Sequence, residues 1–168
     1  MVGGEIGEVG GAVQNDDAVN SLVRISAPRD ETGLPENTTD ADVARSWTAI
    51  YETDTGPRPW RVFALCSATS DAIVEETTFR RVPGFDVGTA TAKCPAGRRA
   101  VGGGVSSTDD RDSGSTGWVQ ASGPRDEAGR PPKDGDVARA WYAIVNGVGT
   151  FTGVTFKVFA LCATDGAT

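Results

Sequence analysis

Along the chain, apolar and β-branched residues come in short runs such as Val62-Phe63-Ala64-Leu65 and Val158-Phe159-Ala160-Leu161, broken by clusters of Gly, Pro, Asp and Asn. Runs of this kind predict strands joined by turns. They amount to about four strands before residue 70 and about six after it. Two segments carry both periods. Val137, Trp141, Ile144 and Val145 fall at helical spacing, with Asp134 and Asp136 placed as caps, and Val43, Trp47, Ile50 and Tyr51 do the same. The alternating reading puts Val137, Arg139, Trp141 and Ala143 on one face and Ala138, Ala140, Tyr142 and Ile144 on the other. Strand is the preferred reading of both segments, because β-branched and aromatic residues dominate. Asn146-Gly147 also follows directly and predicts a hairpin turn into the next strand.

The pattern repeats. Arg61–Cys66 matches Lys157–Cys162, Asp42–Ile50 matches Asp136–Ile144, Pro28–Gly33 matches Pro124–Gly129, and Val9–Val13 matches Val101–Val105. Four blocks in one order, with length changes only between them, predict two diverged copies of one β unit. The expected units are residues 1–69 and 70–168. The second opens with two strand-like runs, Ala72–Val82 and Val87–Cys94, for which the first has no equivalent. Extending the alignment backwards sets Val2 opposite Cys94. The expected fold is therefore all-β, with two tandem β-sandwich-like repeats, the first lacking its opening strands.

Composition narrows the function. Of 168 residues, 22 are Gly and 9 Pro, which favours short strands and many turns. The net charge is −7, and only three of the 16 basic residues are Lys, with no basic run. Nucleic-acid binding needs clustered cations and is not expected. No apolar stretch is long enough to insert in a membrane as a helix. Met1–Glu5 has neither a basic nor an apolar region, so no signal peptide is visible. The expected location is extracellular or a virion surface, reached after trimming of a signal or by another exit such as lysis.

Lys93-Cys94-Pro95-Ala96-Gly97, then Val101-Gly102-Gly103-Gly104-Val105, Gly117-Trp118-Val119 and Val158-Phe159-Ala160-Leu161-Cys162-Ala163 together resemble a repeat of secreted actinobacterial and other bacterial proteins. That repeat runs "CPAG…VGGG…GW…YAVCA". The resemblance covers about residues 72–163 well and 2–68 more weakly. It implies a small β-rich module closed by a cysteine pair, and no activity. The chain departs from it in the missing opening of the first copy and in a longer linker between Gly129 and Val137. Cys94 and Cys162 stand at the two ends of the second copy and are expected to form a disulfide. Cys66, whose partner position is held by Val2, is expected to be a buried free thiol.

Little chemistry is expected. The chain has no His, which removes Ser-His and Cys-His nucleophile pairs and the commonest general base. The acids sit where turns are predicted, as in Asp30-Glu31 and Asp126-Glu127, where short carboxylates bond nearby amides. Thr108–Gly114 gathers Asp109, Asp110 and Asp112 but lacks the order of an EF-hand and its closing Glu, so a solvated hairpin tip is expected there rather than calcium. The glycine runs lack a following phosphate-binding helix and read as close strand packing. Arg45 and Arg139 are expected to pair with Asp30 and Asp126. Trp47, Trp118 and Trp141 read as core. Trp60, after Gly56-Pro57-Arg58-Pro59, has no equivalent in the second copy. Trp60, Asp109, Asp110 and Asp112 are the candidate contacts for a ligand or partner, and no catalytic residue, metal or cofactor is expected.

The resulting expectation is a non-enzymatic structural or interaction protein on the exterior of an assembly: a virion decoration or tail protein, or a surface appendage. A secreted carbohydrate-binding, lectin-like module with a glycan partner is the alternative. The missing strands predict a protein partner or homo-oligomer formed by strand addition at the first repeat, or covering of its edge by Ala72–Val82 folding back.

Overall fold

Alternation of apolar and polar residues decides the architecture. The computed structural model describes residues 7–15, 21–29, 39–53, 60–82, 86–107, 117–147 and 154–166. They form ten strands: β1 (Gly7–Asn15), β2 (Ser21–Arg29), β3 (Ser46–Thr53), β4 (Trp60–Ser67), β5 (Ile73–Val82), β6 (Val87–Lys93), β7 (Arg98–Ser107), β8 (Trp118–Arg125), β9 (Ala140–Asn146) and β10 (Val154–Thr164). The protein is all-β. The two segments with mixed periodicity are strands from Ser46 and from Ala140 onward.

Pairing is antiparallel. β3-β2-β7-β10-β5 make a five-stranded sheet, β6-β9-β8 a three-stranded sheet, and β1-β4 a two-stranded ribbon. The hairpin predicted at Asn146-Gly147 does not form. β9 and β10 lie in different sheets, and the Gly147 N–H donates to the Asp86 carbonyl instead. Both edges of β9 are already taken, by β6 and β8, so the chain must cross to the other layer to continue. β5 is also engaged, along β10, and does not supply the missing strand beside β4; its contact with the first half of the chain is with residues 40–42 and the core around Trp47.

Residues aligned by the sequence blocks hold equivalent ladder positions. Gly11 faces Ala64 in the ribbon and Gly103 faces Ala160 in the large sheet; Glu8 faces Cys66 and Ala100 faces Cys162. Both ladders carry an irregularity at the same place, beside Val9 and Val101. Pro28 faces Trp47 as Pro124 faces Trp141, again with register shifts at matching points. The indole N–H of Trp47 donates to the Ser26 hydroxyl (3.0 Å), and that of Trp141 to the Ser122 hydroxyl (2.8 Å). The turn before each of these strands is alike as well. Thr39 N–H donates to the Asp42 carboxylate at 2.7 Å, and Lys133 N–H to that of Asp136 at 2.8 Å. The positive-φ position of that turn is Gly135 (φ 87°) in one case and Ala41 (φ 67°) in the other.

The core centres on β10. One of its faces, with Phe156, Val158, Ala160 and Cys162, packs on Ala92 of β6 and on Ala143 and Val145 of β9, which makes a sandwich of the two larger sheets. Its other face, with Phe159 and Leu161, packs on Ile25 and Ala27 of β2, Trp47 of β3 and Val74 of β5. Each fully buried large side chain of this kind contributes about 1.5–3 kcal/mol. Such close layering needs glycine. A Cβ on Gly104 would collide with the Ser26 carbonyl oxygen of β2, and one on Gly103 with the Trp141 ring. Trp47 is buried, while Trp141 and Trp118 are half-buried.

Candidate interaction surface

The sequence Val-Phe-Ala-Leu-Cys occurs twice, in opposite surroundings. In β10, Val158, Phe159, Ala160, Leu161 and Cys162 are all fully buried. In β4 the counterparts are exposed: Val62 by 47%, Phe63 by 43% and Leu65 by 63%, with Ala64 and Cys66 also open. Alternate residues of a strand point to opposite faces. Val62 and Ala64 therefore expose one face of β4, and Phe63 and Leu65 the other. The cause is topological. β10 has β7 along one edge and β5 along the other, whereas β4 has only β1 among the described residues. β9 likewise lies between β6 and β8, while β3 ends its sheet and shows Ile50 and Tyr51 to solvent. Contiguous apolar exposure on a strand with an open edge marks a contact surface.

Cys66 closes this exposed run and is a free, exposed thiol. The buried thiol expected from its counterpart is overturned by the same topology, since among the described residues the layers that cover Cys162 have no equivalent over β4. Cys162 is joined to Cys94 by a disulfide, with Cα atoms 5.6 Å apart.

Around that disulfide, side chains tie the strand ends together. Arg98 donates to the carbonyls of Cys162 (2.8 Å) and Asp71 (3.0 Å). The Asp71 carboxylate accepts from the Thr164 hydroxyl and from the Thr164 N–H, at 3.1 Å to Oδ1. These bonds, chiefly the one from the hydroxyl, hold the Asp71 pKa below the ordinary carboxylate value, helped by the Arg98 charge. Arg139 does not pair with Asp126. Its guanidinium sits 2.6 Å from Asp165 and donates to the Arg98 carbonyl at 2.7 Å. Asp126 is instead occupied within its own turn, accepting from the Arg130 N–H at 2.7 Å. Spacing along the chain hid this cluster, because its acids look like ordinary turn formers and its bonded side-chain partners lie 26 or more residues apart. A groove of about 490 Å³ opens beside it, lined by Cys94, Pro95, Arg98, Asp126, Glu127 and Arg139 among others. Two of its cations, Arg98 and Arg139, are committed to internal acceptors, so this part of the groove reads as the seam where the strand ends are tied.

On the far edge of β5, the chain at 40–42 adds further bonds. Ala41 N–H donates to the Val74 carbonyl (2.8 Å), Val74 N–H to that of Asp42 (2.7 Å), and Glu76 N–H to the Asp40 carboxylate (2.7 Å). Burial, and then the charge of Asp40, raise the pKa of Glu75. Lys157 and Glu76 form a cross-strand ion pair at 2.6 Å between β10 and β5.

Of the candidate contact residues read from the sequence, Trp60 opens β4 with its backbone opposite Asn15, and its side chain lies outside the described residues. Asp109, Asp110 and Asp112 lie wholly outside them, as does Asp30. Nothing brings Trp60 and those acids together into one described site. Among the described residues, no group of three or more His, Cys, Asp or Glu side chains is placed to hold a metal ion, and no helix is long and apolar enough to cross a membrane. The chain matches no protein-family model, no curated protein and no solved structure.

Proposed function

We propose that this protein is a non-enzymatic interaction protein that takes part in an assembly by accepting a strand along β4, at the open side of its first repeat. The carrying observation is the contrast between two copies of one strand. Val62, Phe63 and Leu65 stand 43–63% exposed where Val158, Phe159 and Leu161 are fully buried. An unpaired row of N–H and C=O groups on such a strand is a template for a further strand, with backbone bonds supplying affinity and side chains supplying selectivity. The Cys94–Cys162 disulfide supports a setting outside the reducing cytosol, which fits a component on the exterior of a particle or cell, such as a virion decoration or tail protein or a surface appendage.

Hydrogen exchange combined with light scattering tests the reading. In the dilute 17.4 kDa monomer, the amides of residues 61–66 that face away from β1 should exchange rapidly while those of 157–162 stay protected on both edges, and protection of these outward amides should rise on association. Val62→Lys with Leu65→Lys should abolish that rise while leaving the circular dichroism unchanged. A monomer in which both stretches exchange equally slowly refutes the proposal.

A further inference from the structure

The strand that β4 lacks can be specified from its counterpart. We infer that the occupant of the β4 edge is an extended segment of another polypeptide with the chemistry of β5: antiparallel to β4, β-branched and apolar opposite Leu65 and Cys66, acidic opposite Phe63 and Ala64, β-branched and polar opposite Arg61 and Val62, with one of its carboxylates meeting Arg61. The inference rests on the strand-accepting reading above and names its partner.

Register carries the first part. β4 and β10 face their common neighbours in matched steps, Ala64 on Gly11 and Ala160 on Gly103, so they present their other edges with the same spacing. Along that edge of β10 runs β5, with Val74 opposite Leu161, Glu75 opposite Ala160, Glu76 opposite Phe159, Thr77 opposite Val158 and Thr78 opposite Lys157. A strand in the same register on β4 would set those residue types against Leu65, Ala64, Phe63, Val62 and Arg61.

Charge carries the second part. Lys157 is held 2.6 Å from Glu76, a diagonal cross-strand neighbour, and the pair is mostly shielded from solvent. Arg61 occupies the Lys157 position and is exposed. The cation is kept where its acid is not supplied by the described part of the chain. A guanidinium forms two parallel bonds to a carboxylate, so a Glu at the Glu76 position would be selected over a neutral residue or a Lys. The whole chain is acidic, with net charge −7, so a nonspecific acidic strand would be repelled at long range. Selection must then come from the local pair.

The test uses the full chain and a synthetic peptide of its own residues 71–82. Two signals are read: exchange of amides 61–66, and modification of the exposed Cys66 thiol by a thiol reagent. The peptide should slow both, and a scrambled peptide of the same composition should slow neither. Replacing both acids of the peptide, Glu75→Lys and Glu76→Lys, should weaken protection about fivefold at low salt, and Arg61→Glu in the full chain should reverse that preference. Equal protection by the scrambled or the lysine peptide overturns the inference and leaves strand acceptance standing. Slow exchange in the free chain at those amides of 61–66 that face away from β1 would overturn both.

Discussion

Replacing Phe159 and Phe63 by Ala, one at a time, asks whether the same residue in the same sequence block is worth different amounts in the two halves. Phe159 is fully buried among Ile25, Ala27, Trp47, Val74 and Leu161. Its truncation removes the transfer free energy of the ring and leaves a cavity that close-packed neighbours cannot fill, a loss of about 3–5 kcal/mol. Phe63 remains 43% exposed, so its truncation opens no closed cavity. Only the covered part of the ring counts. A fully covered Phe buries roughly 150 Å², and about half of that at ~25 cal/mol per Å² gives about 2 kcal/mol. The two variants should therefore differ by about 2 kcal/mol. Urea unfolding of the dilute monomer reads the difference, which at typical slopes corresponds to ~1 M in midpoint. Equal losses would mean that Phe63 is covered in the monomer, and the argument for an open β4 would fail.

Three further outcomes follow from the geometry. Cys94→Ser with Cys162→Ser opens a loop of sequence separation 68 and should lower stability by about 4 kcal/mol through loop-closure entropy; a urea-measured loss below ~1 kcal/mol would contradict this. Ala41→Gly should raise stability by about 0.5–1 kcal/mol by relieving a left-handed backbone, and Gly135→Ala should lower it by about 1–2 kcal/mol; opposite signs in thermal melts would show that the two turns are not alike in solution. Asp71 has a folded pKa below its unfolded value of 3.8, so its contribution is fully present above that value and is lost as pH falls through the folded one. The stability gap between the native chain and Asp71→Asn should therefore hold steady from neutral pH to about pH 5 and shrink below about pH 4, and a gap that widens on acidification would refute the assignment.

Much of the fold was legible because strand signals are local. Runs such as Ile73–Val82 and Val154–Thr164, set off by turn residues, declare themselves as strands without reference to the rest of the chain. The strand reading at Trp47 and Trp141 also rested on local composition, and the ladders there are regular apart from the bulges. Burial was not legible, because it is a property of neighbours. Cys66 and Cys162 end nearly identical segments, yet one is open and the other fully covered, and the difference lies in strands set 73–93 residues along the chain. The turn at Asn146-Gly147 misled for the same reason: a favourable dipeptide makes a hairpin only if the strand before it has a free edge, and β9 has none. The cluster of Arg98, Asp71, Thr164, Arg139 and Asp165 was invisible because ion pairs between distant turns leave no periodic trace.

The central place of β10 has a consequence for synthesis. β10 leaves the ribosome after the other nine described strands, and both buried layers are built on it: Val158 and Ala160 on one side, Phe159 and Leu161 on the other. At synthesis rates of roughly 5–20 residues per second, the strands before it emerge over several seconds with no central strand to pack against. Of the strands packed on Phe159 and Leu161, β2 and β3 are made first and wait longest. The nascent chain therefore depends on delayed, long-range closure, and a chain stopped before Val154 should lose both layers of the core rather than one strand.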